Sequence, residues 1–283
     1  MTIDVICPLY NAEQYIEKLH KNLLRQKDVK INKINYVLTK GNDNTEKILK
    51  ELKCNYEIIE KNEFSHSLTR EKIAMKCEAD ILVFITQDIK IERTDWLRNL
   101  TKCIESGECV ASYSRQTCSN NSIEKYTRER NYPENSFIVS KDDIDEKGLQ
   151  TFFFSDASSA IKREIFIKLN GYDEKRLPTN EDMYIAYKLI TNGYKIKYCA
   201  DSVVEHSHRF TLKQLYKRYY DTGVFFKEDD YLNKYKVNQA GGGLAIYVLK
   251  RAIQEGNFKV LVRFIPDMAA RFIGMKMGKM NGR

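Results

Sequence analysis

Apolar positions along this chain change period repeatedly, and each change marks an element. Residues 81–85, ILVFI, form an unbroken apolar run rich in β-branched and aromatic side chains, as expected of a strand buried on both faces. Shorter runs of the same kind predict strands over 3–7, 34–38 and 56–59. Between them, three-four apolar spacing predicts helices over 12–26, 44–53 and 67–77. The pattern continues with a helix over 96–106, a strand over 109–114, and strands over 151–155, 159–161 and 195–199. A helix over 181–192 is ended by Gly193, and 211–226 reads as an aromatic-rich amphipathic helix.

Two stretches depart from this rhythm. Residues 117–150 are polar, charge-rich and without sustained period, and are predicted to form a partly helical, mobile excursion near a site. From 241 onward two helical pieces are separated near Gly256-Asn257. In the second, Phe258, Leu261, Ile265, Met268, Phe272 and Met275 repeat at three-four spacing with basic residues on other faces. Pro266 is expected to kink it. Such a helix either packs on the body or on a second copy, or lies in a membrane interface.

Strands alternating with helices imply right-handed βαβ units and a mostly parallel sheet. A length of 283 residues, 42% hydrophobic and 30% charged with only 4 Pro, is that of a folded chain with a substantial core. The seven cysteines are odd in number and contain no CxxC pair, which predicts reduced thiols rather than a disulfide framework or a zinc site. The opening MTIDVICPLYN runs directly into a strand, so no signal peptide is expected, and no run of 18 apolar residues predicts a transmembrane helix. Charge is uneven: residues 241–283 carry eight Lys/Arg against Glu255 and Asp267, a surplus of six out of a net +8. Basic charge confined to a tail favours a surface-binding segment and disfavours nucleic-acid binding.

Four clusters carry candidate chemistry. Thr86-Gln87-Asp88 ends the buried strand at 81–85, where an α/β sheet binds its ligands, and a carboxylate there suits a divalent cation. The bland alternative is a turn or helix cap. Pro8-Leu9-Tyr10-Asn11 follows the first strand, where a nucleotide could sit. Arg70, in the first turns of the 67–77 helix, could reach a diphosphate, or be a surface arginine behind a serine cap. Asn180-Glu181-Asp182 opens a helix, where acids are ordinary dipole partners, yet one of them could serve as general base. His206-Ser207-His208 places two of four histidines on one side of an extended segment, suited to metal but equally to two neutral imidazoles.

These segments occur in an order that resembles a known family. CPLYN at 7–11, FSHSLTR at 64–70, FITQD at 84–88 with Trp96, YSRQ at 113–116 and NYP at 131–133 are joined by FFFSDASSAIKREIF at 152–166 and GYDE at 171–174. NEDMYIAYKLITNGYKI at 180–196, VVEHSHRFT at 203–211 and YKRYYDTGVFF at 216–226 complete the set. Over residues 1–226 the chain resembles a family 2, GT-A fold glycosyltransferase of the bacterial rhamnosyltransferase branch.

The resemblance implies roles residue by residue. Asp88 matches the acid that ends the metal motif, whose usual first acid is Thr86 here. His206 matches the histidine that can complete the metal site, with His208 beside it. Asp182 matches the catalytic base and Glu181 its neighbour. Arg70 matches the helix arginine near the nucleotide sugar, Pro8 and Tyr10 line the nucleoside, and Gln87 joins these nucleotide contacts. Many relatives carry an acid after the second strand, where this chain reads Thr39-Lys40-Gly41-Asn42-Asp43; Thr39 is left to meet the base. Ser114 stands where glycine is common.

By the same resemblance, residues 1–226 form the GT-A domain, with a nucleotide-binding half at 1–100 and an acceptor half at 101–226, and 227–283 form a helical extension. The implied reaction is inverting, dependent on Mg²⁺ or Mn²⁺, and moves L-rhamnose from dTDP-L-rhamnose to a surface glycan or lipid-linked acceptor. A basic amphipathic tail fits a cytoplasmic enzyme lying peripherally on an anionic membrane, or a homodimer contact. The competing assignments are a sister enzyme using a UDP-hexose, a metal-dependent nucleotidyltransferase, and an inactive nucleotide-sugar-binding homologue.

Overall fold

In the computed structural model, which describes residues 1–235 and 240–282, the first hundred residues form four parallel strands joined by helices. These are β1 (Thr2–Leu9), α1 (Ile16–Leu24), β2 (Lys30–Thr39), α2 (Thr45–Glu51), β3 (Asn55–Ile59), α3 (His66–Ala74) and β4 (Ile81–Ile85). Then follow α4 (Trp96–Glu105), β5 (Ala111–Thr117), α5 (Ile123–Asn131), β6 (Phe137–Val139), α6 (Ile144–Lys147), β7 (Ser158–Lys162) and α7 (Arg163–Lys168). The rest comprises α8 (Glu181–Thr191), β8 (Ile196–Glu205), α9 (Leu212–Glu228), α10 (Ala240–Gln254) and α11 (Phe258–Asn281).

All eight strands share one sheet, in the order β3-β2-β1-β4-β7-β5-β8-β6. β7 runs antiparallel to both β4 and β5, and β6 antiparallel to β8. Burial of β4 on both faces explains its unbroken apolar run. Ile81, Val83 and Ile85 join the core beneath α1 and α4, while Leu82 and Phe84 join the core beneath α3 and α8. The chain leaves β1 in opposite directions to reach β2 and β4, so the crevice for a ligand opens beyond the carboxyl ends of β1 and β4.

Where β8 passes β5 its register slips, from Ser114 opposite Cys199 to Arg115 opposite Val203. The three extra residues carry Ser202 into the core. There its hydroxyl lies 2.8 Å from that of Ser114, which is 2.6 Å from that of Ser158. The Trp96 indole N–H donates to Ser114 and Ser158, and Ser202 donates to the Trp96 carbonyl. Ser114 thus helps satisfy the only tryptophan in the chain, which is fully buried.

Two segments depart from expectation. Residues 151–155 are not a strand; Gly148–Phe152 forms a 3-10 turn. The β-forming residues there serve the core instead: Phe152 is buried against Tyr187 and Tyr235, and the Thr151 hydroxyl donates to the Asp143 carbonyl. The 117–150 stretch is partly helical as expected, with α5, α6 and the edge strand β6, and ion pairs account for part of its charge. Arg271 of α11 reaches Glu124 of α5 at 2.6 Å, and Arg251 of α10 reaches Glu129 at 2.9 Å.

The second concerns α11. It is helical through Pro266, and only part of its apolar stripe packs: Leu261 and Met268 lie against the core of α5 and α10. Val260, Asp267, Arg271, Gly274 and Gly278 are buried, whereas Phe258, Ile265 and Phe272 are exposed. The glycines decide this. A Cβ on Gly274 would lie 2.5 Å from the Tyr216 carbonyl oxygen, and one on Gly278 would lie 2.0 Å from that of Tyr220. α9 and α11 therefore meet backbone to backbone.

Candidate active site

Asp88 follows β4, and His206 follows β8, at opposite edges of β7 and β5 in the sheet. A bridge beyond the strand ends closes the gap: the Lys90 N–H donates to the Glu205 carbonyl (2.8 Å) and the Glu205 N–H to that of Lys90 (3.0 Å). The His206 N–H is fixed to the Thr117 carbonyl at 2.9 Å. As a result one Asp88 oxygen lies 3.5 Å from His206 Nε2, and the other 3.5 Å from His208 Nδ1. The two Nε2 atoms are 2.7 Å apart, and ligand atoms of all three residues fall within 4.8 Å of one another.

The surroundings prepare these groups to hold a cation. Gln116 donates its amide to Ser155 Oγ, which leaves its carbonyl oxygen 2.8 Å from His206 Nδ1. The His206 Nδ1–H donates there, so Nε2 keeps its lone pair for the cage. Burial lowers the pKa of His206, and nearby Arg128 and Arg218 oppose its protonation, although Asp88 pulls the other way. Burial and His206 together hold His208 down to about 4. Burial works against the charge on Asp88, but the hydrogen bond and the field from the histidines outweigh it and keep the carboxylate ionised. One carboxylate and two neutral imidazoles form a donor set that fits a divalent metal.

The second half of the site is a buried charge cluster. Arg70 is 2% exposed, not a surface side chain; its Nη1 donates to Glu181 Oε1 at 3.2 Å and to the His66 carbonyl at 2.9 Å. Asp156, fully buried, accepts from Ser159 (2.7 Å) and from the Tyr172 hydroxyl (2.6 Å). Asp182 stands at the start of α8, behind the left-handed Asn180, and lines a cleft of about 230 Å³ with Arg128, Tyr132, Arg218 and Tyr219. Burial, then Glu181 and Asp156, push the Asp182 pKa well above the carboxylate range. A single arginine among three acids cannot neutralise them all, so the charged form of Asp182 is disfavoured where it stands.

Across from this cluster the crevice is bounded by the ends of β1 and β2. Gln87 clamps the Tyr10 backbone, accepting from its N–H (2.7 Å) and donating to its carbonyl (3.0 Å). The Tyr10 ring is 44% exposed with the Lys61 ammonium 5.3 Å above it. Pro8 is half-buried opposite Val37, and Thr39 ends β2 with a buried hydroxyl that has no hydrogen-bond partner among the described residues. Gly41 is required by Asn11, whose side-chain oxygen would lie 2.2 Å from a Cβ there. Asp43 is occupied, accepting from the Glu13 N–H and the Thr45 hydroxyl.

Sequence reasoning did not single out Gln116, Arg128, Asp156 or Arg218, nor His66, whose Nδ1 lies 3.9 Å from Glu181. Asp156 had a signal, a carboxylate inside the apolar stretch FFFSDASSA. Gln116 and Arg128 had none, because their roles depend on β8 returning beside β5.

The family model described as glycosyl transferase family 2 matches residues 4–169. The O-antigen chain rhamnosyltransferase RfbN of Salmonella typhimurium is 31% identical over 290 residues, covering 99% of this chain and 90% of that protein. The O-antigen chain rhamnosyltransferase WbaN of Salmonella anatum is 31% identical over 286 residues, covering 97% and 88%. Among solved structures, the mannosyltransferase PcManGT from Pyrobaculum calidifontis, in complex with GDP-Man and Mn²⁺, matches with a TM-score of 0.61 and 16% identity, over 98% of this chain and 86% of that one. TarS 1–349 of S. aureus in complex with UDP-GlcNAc matches with a TM-score of 0.57 and 14% identity, over 99% and 91%. The structural likeness establishes the GT-A fold, and the sequence identity spans nearly the whole chain: this protein belongs to glycosyl transferase family 2 and is a glycosyltransferase similar to the O-antigen rhamnosyltransferases.

Proposed function

We propose that this enzyme transfers L-rhamnose from dTDP-L-rhamnose to a hydroxyl of a surface glycan or lipid-linked acceptor, by a single displacement with inversion. The observation that carries the site assignment is the convergence of Asp88, His206 and His208 near a cleft walled by Asp182. The donor sugar rests on the likeness to the two Salmonella enzymes. Tyr10 offers an exposed ring to the nucleobase, the free Thr39 hydroxyl can bond its edge, and Gln87 holds Tyr10 in place. Pro8 borders the same crevice. In its ionised form Asp182 accepts the proton of the acceptor hydroxyl as that oxygen bonds the anomeric carbon and the bond from that carbon to the diphosphate breaks. The nucleoside diphosphate departs on the opposite face. Arg70 and Glu181 act as positioning residues that hold the start of α8.

Asp88, His206 and His208 would hold the metal, and imidazole nitrogen favours Mn²⁺ over Mg²⁺, which seeks oxygen. When bound, the cation supplies positive charge to the leaving diphosphate. A lipid-linked acceptor is consistent with the exposed Phe258, Val262, Ile265 and Phe272 on α11, interspersed with lysines, which suit an anionic membrane surface.

Thermal stabilisation by a panel of nucleotide sugars, each with and without Mn²⁺, tests the donor and the metal together. A metal-dependent shift specific to dTDP-L-rhamnose is expected. A shift with UDP-hexoses instead keeps the glycosyltransferase and discards rhamnose as its sugar.

A further inference from the structure

The cleft beside Asp182 contains three arginines whose electrostatic situations differ. Arg271 is neutralised by Glu124 at 2.6 Å and bonded to the Tyr219 hydroxyl. Arg128 and Arg218 have no carboxylate partner among the described residues. The Nε of Arg128 is buried without an acceptor, and its Nη1 makes only a long contact of 3.4 Å to the Tyr132 hydroxyl. Its Nη2 makes only a long contact of 3.4 Å to His206 Nδ1, a nitrogen that Gln116 already engages at 2.8 Å. Arg218 projects from α9 at the rim of the same cleft, with its guanidinium 5.7 Å from the Phe210 ring centre and no side-chain hydrogen bond of its own among the described residues.

The half-buried Arg128 guanidinium with unmet donors is costly, and more so beside residues that can take a divalent cation, while Arg218 is exposed and adds a second positive charge at the rim. With the metal bound, Asp88 and an ionised Asp182 supply two negative charges against that divalent cation and two arginines, which leaves two positive charges uncompensated. The deficit calls for an anion of at least two charges, with oxygens that a planar guanidinium can bond in pairs. We propose that Arg128 and Arg218 form a phosphate-binding site on the α5–α9 wall of the Asp182 cleft, holding a diphosphate beside the metal ligands. The proposal rests on the glycosyl-transfer assignment for the origin of that diphosphate. It comes either from the departing nucleoside diphosphate or from a phosphate carried by the acceptor, and both sources present the same chemistry.

The test uses the full-length protein with Mn²⁺ and compares wild type with Arg128→Gln, Arg218→Gln and the conservative Arg128→Lys. Calorimetric titration with inorganic pyrophosphate gives a readout independent of the donor sugar and of turnover. Affinity is expected to fall at least tenfold in each glutamine variant and to be partly kept by lysine, at unchanged melting temperature. Titration with dTDP and UDP then separates the sources. A parallel loss of nucleoside diphosphate affinity assigns the site to the leaving group. Unchanged nucleotide affinity, with a raised KM only for phosphate-bearing acceptors, assigns it to the acceptor. Pyrophosphate affinity equal to wild type in both glutamine variants overturns the proposal, even if the nucleotide-sugar panel has confirmed the donor. If Arg128→Gln melts lower, Arg218→Gln decides alone, since that side chain stands at the rim.

Discussion

At the scale of single residues, Asp182 joins catalysis to stability. Burial, Glu181 and Asp156 raise its pKa, so the folded chain holds a proton that the unfolded chain releases near the ordinary aspartate value. Between that value and the raised one the native state binds more protons than the unfolded state, and stability falls as pH rises through this window. Asp182→Asn removes the titration. We expect it to lower transfer by at least about 100-fold, the scale of a lost general base, while donor affinity stays within a few-fold. We also expect its melting temperature to exceed that of wild type at pH 8, with the gap closing towards pH 4. A variant that loses both donor affinity and stability would mark Asp182 as structural. The same residue limits what a sequence can reveal: the acid pair at 181–182 is legible, but the upward shift of Asp182 depends on its burial and on Asp156, both of which come only with folding.

At the scale of elements, legibility followed locality. The strands and helices of the first hundred residues declare themselves because each carries its own period, and β4 declares its burial through five consecutive apolar residues. HxH on an extended segment correctly foretold two imidazoles on one side. What failed depended on partners distant in the chain. Thr151 and Phe152 look β-forming but are captured by Asp143, Tyr187 and Tyr235. In α11, side-chain hydropathy did not reveal the face on α9, because that contact is made by Gly274 and Gly278 against α9 backbone, including Gly223. Glycine at every fourth position was the available signal, obscured by its poor helix propensity. Gly278→Leu should therefore force the helices apart, costing about 1–3 kcal/mol, read as a lower denaturation midpoint. Phe272→Ser, on the opposite face, should leave that midpoint unchanged. Equal effects of the two would mean that the glycine contact does not hold the pair together.

At the scale of the whole molecule, the basic tail resolves into two populations. Arg251 and Arg271 are spent on Glu129 and Glu124 and tie α10 and α11 to α5, while Arg263 pairs with Asp267 within α11. Lys250, Lys259 and Lys276 make no ion pair among the described residues and lie near exposed Ile246, Ile253, Phe258, Val262, Ile265 and Phe272. No described helix is both long and apolar enough to cross a membrane, so an interaction with lipid would be lateral. Deleting 241–283 would be a poor test, because it would strip packed surface from α5 and α9. Replacing Phe258, Val262, Ile265 and Phe272 together with serine removes only exposed apolar area. Wild type should sediment with vesicles containing phosphatidylglycerol, less with phosphatidylcholine alone, and less again as salt screens the lysines. The fourfold variant should stay in the supernatant while its melting temperature and its transfer to a water-soluble acceptor persist. If wild type ignores both vesicles and is a dimer that the variant converts to monomer, this face joins two copies instead. The contrast is decisive because the opposite face of α11 is already committed to α9, leaving its exposed side free to report what it contacts.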